Sequence, residues 1–406
     1  MTTSDALRRM AKHALVIASV GVLSACAHTS DTPASSSSVA APTASAPPIV
    51  SPTLLDVGNY PTAPKPGPAM KPGAESGRII DGERMGEYVV GPWEVDPQLL
   101  NVGFISTGLF FSVGSLLSPE LDQLAQQQHL IYAFGSGRHT AANADHLRGL
   151  QNSVLRFPSP DEAAAAASGF YTQHPRIHDP STKLDIPIPG HPESQALQST
   201  MPDGTFATSI ISPHGPYVLF QGGTAQESPD ASLQLATKAL DLQARRIDDF
   251  KPTDPSQFAT MQTDPEGLLS RTVPTKEHKA NQGLWGPRGL LHFEDDPVQS
   301  AAALTAAGVD VVSVRGTYLY RAKDATTAAQ LAQKLAEPGG SSPSEPGPVV
   351  PGLPSAKCRA INYADVKALV YDCVTSFDRW VYTASSLQPF DATQRMASQY
   401  LLLTAK

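Results

Sequence analysis

The residues best suited to metal or acid–base chemistry lie in one proline-rich stretch of the chain. They are three histidines and two aspartates: His174, His178, Asp179, Asp185 and His191. Imidazole nitrogens and carboxylate oxygens are common ligands of divalent metal ions. Four prolines divide the stretch, so no pair of these residues is preorganised four positions apart on a helix. The pattern favours an exposed loop over a metal site, and the sequence predicts no metal and no other cofactor.

A second polar group, formed by His139, Asp145 and His146, belongs to the segment GSGRHTAANADH. One interpretation is a loop that contacts a ligand. The start of a capped helix is the favoured alternative, because Thr, Asn and Asp are typical of helix N-termini.

Hydrolytic and nucleotide chemistry lack their usual signatures. The chain contains no G-x-S-x-G nucleophile elbow and no glycine-rich phosphate-binding loop. A catalytic triad assembled from distant residues stays open, but no catalytic residue is assigned. Two interpretations fit the three tryptophans, Trp93, Trp285 and Trp380. They could line a groove for a glycan or lipid, or they could pack in the core, and core packing is favoured.

The amino-terminal segment has the order of an export signal. Basic residues at Arg8, Arg9 and Lys12 precede an uncharged run from Ala14 to Leu23, which is too short to span a bilayer. The segment ends in LSAC, which resembles the lipobox of bacterial lipoproteins. That resemblance implies cleavage of a signal peptide at 1–25 and a diacylglyceryl group on the Cys26 thiol, with a third acyl chain such as palmitate on the new amine. An ordinary secretory signal with a chance cysteine is the alternative.

Residues 26–53 are rich in Ser, Ala, Thr and Pro and contain no aromatic side chain. Such a segment cannot bury enough apolar surface to fold, so it is predicted to be a disordered tether with a reach of about 30 Å. The formal charge of the whole chain is −8. This acidic balance argues against a nucleic-acid partner, because such partners need basic surfaces.

Only two cysteines follow Cys26. Cys358 and Cys373 are fifteen positions apart in a chain predicted to be exported, and neither belongs to a CxxC motif. The pair is therefore predicted to form a disulfide bond rather than a metal site.

The remaining chain repeats one order of elements, strand–helix–strand–strand–helix. In the first copy Ser159 caps a helix after the strand 154–157, and the runs 206–211 and 217–221 flank a turn and predict a hairpin. In the second copy Asp324 caps the first helix and Asp391 the closing helix. Further helices are predicted upstream of each copy, at 118–128 and 296–308, and the Pro/Gly/Ser-rich segment 337–354 is predicted to be an exposed flexible loop.

These patterns predict an α+β fold with two similar lobes, each a small, mainly antiparallel sheet with helices on one face. The first lobe is placed at 54–253 and the second at 254–406.

The lipobox, the segment GEYVVGPWEVDP (86–97), the HGPY turn and the duplication resemble a family of actinobacterial cell-envelope lipoproteins of unknown function. The order of elements in each lobe is also similar to the extracellular sensor domains of mycobacterial Ser/Thr kinases, which tend to have two disulfides where this chain has one candidate. Neither resemblance implies a catalytic residue.

The expected function is therefore non-catalytic. The sequence predicts an exported protein held on the extracytoplasmic face of the cell membrane by lipidated Cys26, with a binding, scaffolding or sensor-like role toward an envelope lipid, glycan or protein. An envelope hydrolase with a non-contiguous active site is the alternative.

Overall fold

A computed structural model describes residues 50–65, 71–102, 107–275, 280–337, 343–363 and 368–405. All of them belong to one compact unit, Pro47–Lys406. Cys26, the predicted signal peptide and the tether up to residue 49 lie outside the described residues. Within the described ranges, each helix is too short or too polar to cross a bilayer.

The described helices and strands are numbered in chain order. The helices are α1 (Ala74–Gly86), α2 (Pro92–Val95), α3 (Pro119–Gln127), α4 (Pro160–Thr172), α5 (Pro229–Ile247), α6 (Pro287–Leu291), α7 (Pro297–Ala307), α8 (Ala325–Ala336) and α9 (Pro389–Thr404). The strands are β1 (Asn101–Val102), β2 (Gly108–Phe110), β3 (Tyr132–His139), β4 (Arg148–Arg156), β5 (Gln195–Thr200), β6 (Phe206–His214), β7 (Tyr217–Ala225), β8 (Gly283–Trp285), β9 (Val311–Val314), β10 (Tyr318–Arg321), β11 (Ser344–Pro346), β12 (Lys357–Tyr363), β13 (Ala368–Phe377) and β14 (Trp380–Ser386).

The strands form two antiparallel sheets with the same topology. The first sheet has the order β1-β3-β4-β7-β6-β5, with β2 also paired to β3, and the second has the order β11-β12-β13-β14-β10-β9-β8. The run β3-β4-β7-β6-β5 therefore corresponds to β9-β10-β14-β13-β12, and helices α3, α4 and α5 correspond to α7, α8 and α9. The predicted α+β class and the two similar lobes are confirmed.

The duplication is longer than the predicted repeat. The first copy has three strands between its two helices, and the second has the three corresponding strands and the additional edge strand β11. Each copy also has a strand before the first predicted one, β3 or β9. The sequence does not predict strand β5, because its residues, QALQST, are mostly polar. Its Gln198 is nevertheless buried and donates to Thr208 Oγ1 at 2.9 Å and to the carbonyl oxygen of Pro229 at 2.7 Å. Internal partners of this kind let a polar strand lie inside a sheet.

Helices pack on both faces of the first sheet, whereas the prediction placed them on one face. Successive side chains of a strand point to opposite sides. On β7, Leu219 packs in the same core cluster as Leu240 of α5, while Val218 and Phe220 pack with Phe170 of α4. The sheet is therefore a central layer between α4 and α5.

Two of the three predicted helix caps are confirmed. Ser159 accepts from the backbone N–H groups of Asp161 and Glu162 at the start of α4, and Asp324 accepts from the N–H of Thr327 at the start of α8. The prediction for Asp391 is wrong.

Helix α9 begins three residues earlier than predicted, at Pro389, and its N-cap is Gln388 instead of Asp391. Proline is favoured at the first helical position because its fixed φ suits the helix and it has no N–H to satisfy. Asp391 instead lies inside the first turn, where it accepts from the Tyr60 hydroxyl at 2.5 Å and pairs with Arg395 at 2.8 Å.

Two predicted loops also differ from the structure. In the described part of the predicted loop 337–354, Ser344–Pro346 form the edge strand β11, and Val350 and Leu353 are only 2 % and 1 % exposed. Residues 343–354 are therefore part of the fold. Residues 140–147 contain no helix start, because His139 ends β3 and the chain turns directly into β4.

The predicted hairpin is confirmed, and its strands continue to a two-residue turn at Gly215 and Pro216.

The two lobes share one hydrophobic core. The ring of Phe134 on β3 of the first lobe lies 6.1 Å from Trp285 and 6.4 Å from Phe293 of the second lobe, centroid to centroid. Trp93 and Trp285 are 7 % and 1 % exposed, so core packing of both tryptophans is confirmed.

Candidate functional site

Each lobe contains a cleft on the same face of its sheet, the face that carries α4 or α8. The first cleft has a volume of about 540 Å³ and lies between β4, β6 and β7, the start of α3 and the chain that follows α4. The second cleft has a volume of about 290 Å³ and lies between β10 and β12–β14, the loop before α7 and the end of α8. The duplicated fold thus places a cavity at the same location twice.

The pairing of the strands shows which residues of the two clefts correspond. Arg156 ends β4 three residues before the N-cap Ser159, and Arg321 ends β10 three residues before the N-cap Asp324. Aligning these arginines aligns the paired strands on either side. The corresponding lining positions of the two clefts are Ala207 and Val370, Ser209 and Asp372, Phe220 and Thr383, and Gly222 and Ser385.

The floor of the second cleft combines a hydrogen-bonded ion pair with aromatic side chains. The guanidinium of Arg359 lies 3.1 Å from Asp372 Oδ2, and the Ser385 hydroxyl donates to Asp372 Oδ1 at 2.8 Å. Beside them the rings of Tyr318 and Tyr320 stack with centroids 6.2 Å apart and planes inclined by 21°. Arg359, Asp372 and Ser385 are directly opposite one another on β12, β13 and β14, and Tyr318 is opposite Thr383, two positions before Ser385. Tyr318 and Tyr320 alternate on β10, so all five side chains point to one face.

The wall of the second cleft contains a carboxyl group that titrates near neutrality. Desolvation raises the pKa of Glu294 to about 7, helped by the nearby negative charges of Asp295 and Asp372 and opposed by a hydrogen bond from Ser300. The Ser300 hydroxyl donates to Glu294 Oε2 at 2.9 Å. Desolvation also raises the pKa of Tyr318 and of Tyr320, so both phenols stay neutral donors.

A buried arginine of the first lobe holds this wall in place. Arg138 on β3 is 1 % exposed and donates to the carbonyl oxygens of Leu100 at 2.6 Å, His292 at 3.0 Å and Glu294 at 2.6 Å. Its guanidinium also lies 5.3 Å from the ring centroid of Trp93. The position of the Glu294 wall therefore depends on a side chain from the other lobe.

The first cleft has a different chemical character. Leu117, Leu121 and Phe220 supply apolar walls, and Gln151 lies on its floor with its amide donating to the carbonyl oxygen of Leu116 at 2.6 Å. Its polar rim includes the segment His174–Arg176. Burial lowers the pKa of His174 to about 4, helped by the positive charge of Arg176, so this imidazole is neutral at pH 7.

The structure does not assemble the predicted histidine and aspartate group into a metal site. Among the described residues, no three His, Cys, Asp or Glu side chains could hold a metal ion together. Asp185 accepts from the Tyr171 hydroxyl at 2.9 Å, Asp179 caps the turn at Ser181, and His191 lies 2.8 Å from Asp241. The favoured alternative, a loop, is observed at 173–194.

His139, which belongs to the second polar group, has backbone partners. Its Nδ1 lies 2.7 Å from the carbonyl oxygen of Thr140, and its Nε2 lies 3.2 Å from that of Val102. Both contacts hold the imidazole against the backbone, at β1 and at the residue that follows β3.

One serine–histidine pair lies in the described part of the chain at hydrogen-bond distance, between Ser136 Oγ and His292 Nδ1 at 2.9 Å. These two residues are 0 % and 1 % exposed, and His292 Nε2 lies 3.1 Å from the carbonyl oxygen of Gly86 rather than beside a carboxylate. Burial lowers the pKa of His292 to about 4. The arrangement lacks the accessible nucleophile and the orienting acid of a catalytic triad.

The predicted disulfide bond is present. Cys358 and Cys373 face each other on β12 and β13, with Cα atoms 4.0 Å apart. The bond lies on the α9 face of the second sheet, opposite the face that carries the second cleft.

Sequence reasoning missed the second cleft entirely, although one signal was available. Tyr318 and Tyr320 alternate in the segment GTYLYR, and alternate residues of a strand share a face. The other groups come from β12, β13 and β14 and from the loop before α7, and only the sheet order brings them to the tyrosines.

Two family models match most of the chain. "Domain of unknown function (DUF7373) N-terminal" covers residues 69–263 and its C-terminal counterpart covers residues 268–406. No curated protein matches the sequence. A solved structure, the extracellular domain of PknH from Mycobacterium tuberculosis, is similar at 12 % identity and a TM-score of 0.29, over 40 % of this chain and 96 % of that one.

Proposed function

We propose that this chain, which belongs to the DUF7373 family, is a lipid-anchored, exported envelope protein that binds a small polyhydroxylated ligand in the second cleft. The observation that carries the proposal is the convergence of Tyr318, Tyr320, Arg359 and Asp372 in a cavity whose location is repeated in the first lobe. Pockets with a few convergent polar groups among aromatic side chains are the usual form of small-molecule sites.

The chemistry of the second cleft favours a sugar. Carboxylate and guanidinium groups form paired hydrogen bonds with adjacent hydroxyls, and tyrosine combines an apolar ring with a polar hydroxyl. Asp372 is already oriented by Arg359 and Ser385, so its geometry does not have to be organised when a ligand enters. The volume of about 290 Å³ matches one or two sugar rings rather than a long chain.

The proposed location rests on the amino-terminal sequence. The order of basic residues, short apolar run and LSAC motif supports lipidation at Cys26 and an extracytoplasmic position. The Cys358–Cys373 disulfide supports the same compartment, because such bonds persist mainly in oxidising environments.

Hydrogen–deuterium exchange on the full chain tests the binding proposal. The ligand panel consists of neutral and amino-sugar oligosaccharides, acyl lipids and peptides. We expect an oligosaccharide to protect the strands that carry Tyr318, Tyr320 and Asp372. Protection by no member of the panel would contradict the proposal.

The duplication provides a matched pair of variants for the same experiment. Ser385 and Gly222 occupy equivalent cleft positions, and a Cβ atom at Gly222 meets its nearest neighbour at an ordinary 3.5 Å. Ser385→Leu fills the second cleft and should abolish the protection, whereas Gly222→Leu fills the first cleft and should leave it unchanged. Equal effects of the two variants would place the ligand elsewhere.

The alternative, an envelope hydrolase, has one supporting observation. Two carboxyl groups, Glu294 and Asp372, line the same cleft, and burial raises the pKa of Glu294 to about 7. Glycoside hydrolases use a pair of carboxyl groups, one of them an acid whose pKa is raised by its surroundings. Release of shorter saccharides during the exchange experiment, lost in a Glu294→Gln variant, would favour this alternative over simple binding.

A further inference from the structure

The most exposed large apolar side chains of the described residues lie together at one corner of the protein. Val349 is 82 % exposed, Phe390 76 %, Leu387 68 % and Leu54 61 %. We call these four residues the apolar corner. Contiguous exposed apolar groups usually mark a surface that contacts a membrane or a partner.

One cavity and the course of the chain bring the residues of the apolar corner near one another. Val349 and Phe390 line the same shallow cavity of about 190 Å³. Leu387 directly precedes Gln388, the N-cap of α9, and is three positions before Phe390 in the chain. Leu54 lies against Gly352, where an added Cβ would meet the Leu54 Cβ at 3.3 Å, and Gly352 is three positions after Val349. Prolines 348, 351 and 389 border the same cavity and add further apolar surface.

The chain enters the folded body at this corner. Val50 packs against the core cluster beneath α9, and the N–H of Ser51 donates to the carbonyl oxygen of Gly352 at 2.9 Å. Only 24 positions separate Val50 from Cys26. The apolar corner is therefore the part of the body that the proposed anchor brings closest to the lipid.

We propose that the apolar corner inserts into the interfacial region of the membrane that holds the Cys26 lipid. This contact gives the folded body a defined orientation on the bilayer. This inference rests on the proposed anchor. A chain of 24 residues has a reach of about 27 Å if it is flexible, which keeps the corner at a high effective concentration near the lipid. Shallow insertion of a few apolar side chains is the mode of peripheral membrane contacts.

A protein partner fits the apolar corner less well. Its four side chains expose on the order of 500 Å², below the roughly 800 Å² per partner that stable protein–protein interfaces bury. Two carboxylates lie at the apolar corner. Asp391 is paired with Arg395 at 2.8 Å. Asp56 lines the cavity and accepts hydrogen bonds from the Gly58 N–H at 2.9 Å and the Gln394 amide at 3.0 Å, so insertion must be shallow enough to leave it at the level of the headgroups.

An environment-sensitive dye can report the insertion in the full, lipidated chain. Phe390→Cys and Val349→Cys each provide a thiol for a nitrobenzoxadiazole label, since Cys358 and Cys373 are joined in a disulfide. Leu184→Cys is the matched control, because Leu184 is also exposed, at 42 %, but lies in the loop between α4 and β5. The labelled proteins are reconstituted into phosphatidylcholine–phosphatidylglycerol vesicles.

The expected result is a blue shift and quenching by spin-labelled lipid at positions 390 and 349 but not at 184. Vesicle-bound protein with all three labels in water would overturn the inference while leaving the anchor intact. Protein that fails to float with the vesicles would overturn the anchor, and this inference with it. A blue shift at 390 that appears without vesicles and grows with protein concentration would identify a second copy as the occupant and would also overturn it.

Discussion

Replacing Arg138 with methionine should destabilise the whole protein and open the second cleft. Methionine has a similar length and is apolar, so the change removes the donors without leaving a large cavity. The carbonyl oxygens of Leu100, His292 and Glu294, now at 2.6, 3.0 and 2.6 Å from the guanidinium, would lose a buried donor. A buried polar group left unsatisfied costs about 1–3 kcal/mol.

The expected loss in unfolding free energy is about 3–5 kcal/mol. This value is below the upper end of the sum for three carbonyl oxygens, because small movements of the neighbouring loops give some of them other donors. Guanidinium-induced unfolding followed by circular dichroism measures it. Arg148→Met is the control, since Arg148 forms ion pairs with Asp96 and Glu227 but its side chain is 36 % exposed. Ion pairs at such positions contribute about 1 kcal/mol or less.

Two results would refute this reasoning. One is an Arg138→Met variant within about 1 kcal/mol of the wild type, which would mean that the carbonyls find other donors. The other is an equal loss in the Arg148→Met variant, which would remove the link to burial. A folded Arg138→Met variant that binds ligand in the second cleft as the wild type does would show that Arg138 does not position the Glu294 wall.

Three further variants test the fold. Burial raises the pKa of Glu83 to about 8. The protonated carboxyl therefore favours the folded state fully below the unfolded pKa near 4.5, and this contribution is lost as the pH rises toward 8. Glu83→Gln should reduce the fall in unfolding free energy between pH 5 and 8 by about 3 kcal/mol, and an unchanged slope would refute the assignment. Cys373→Ser should lose about 3 kcal/mol in urea unfolding, as should the reduced wild type, because the disulfide closes a loop of fifteen positions. Gly77→Ala should lose about 1–3 kcal/mol in the same assay, since its Cβ would overlap the carbonyl of Phe258, whereas Gly73→Ala, with open space around the new Cβ, should stay near wild type.

The sequence was sufficient to predict the duplication and most helices. Helix starts carry local signals, such as Ser159 before Pro160 and Asp324 before an alanine-rich run, and these signals act within one turn. The same rule failed at Asp391, because the proline at position 389 starts the helix three residues earlier than an Asp391 cap would. Local chemistry therefore predicts that a helix exists better than where it begins.

The order of the strands in each sheet, the polar strand β5 and the two clefts were beyond local reasoning. Strand β5 is polar because Gln198 finds buried partners from other elements, so its sequence resembles a loop. The second cleft joins residues from β10 and β13 that are more than fifty positions apart, and Arg138 stabilises its wall from the other lobe. Such contacts follow from strand order and register, which a single sequence does not display.

The most direct test of ligand binding in the second cleft is native mass spectrometry of the full chain purified in mild detergent from its own cells. Wild type and Gly222→Leu should carry the same small polar molecule, and Ser385→Leu should have lost it. The same bound mass in all three proteins, or none in the wild type even after incubation with envelope saccharides, would contradict the proposed site.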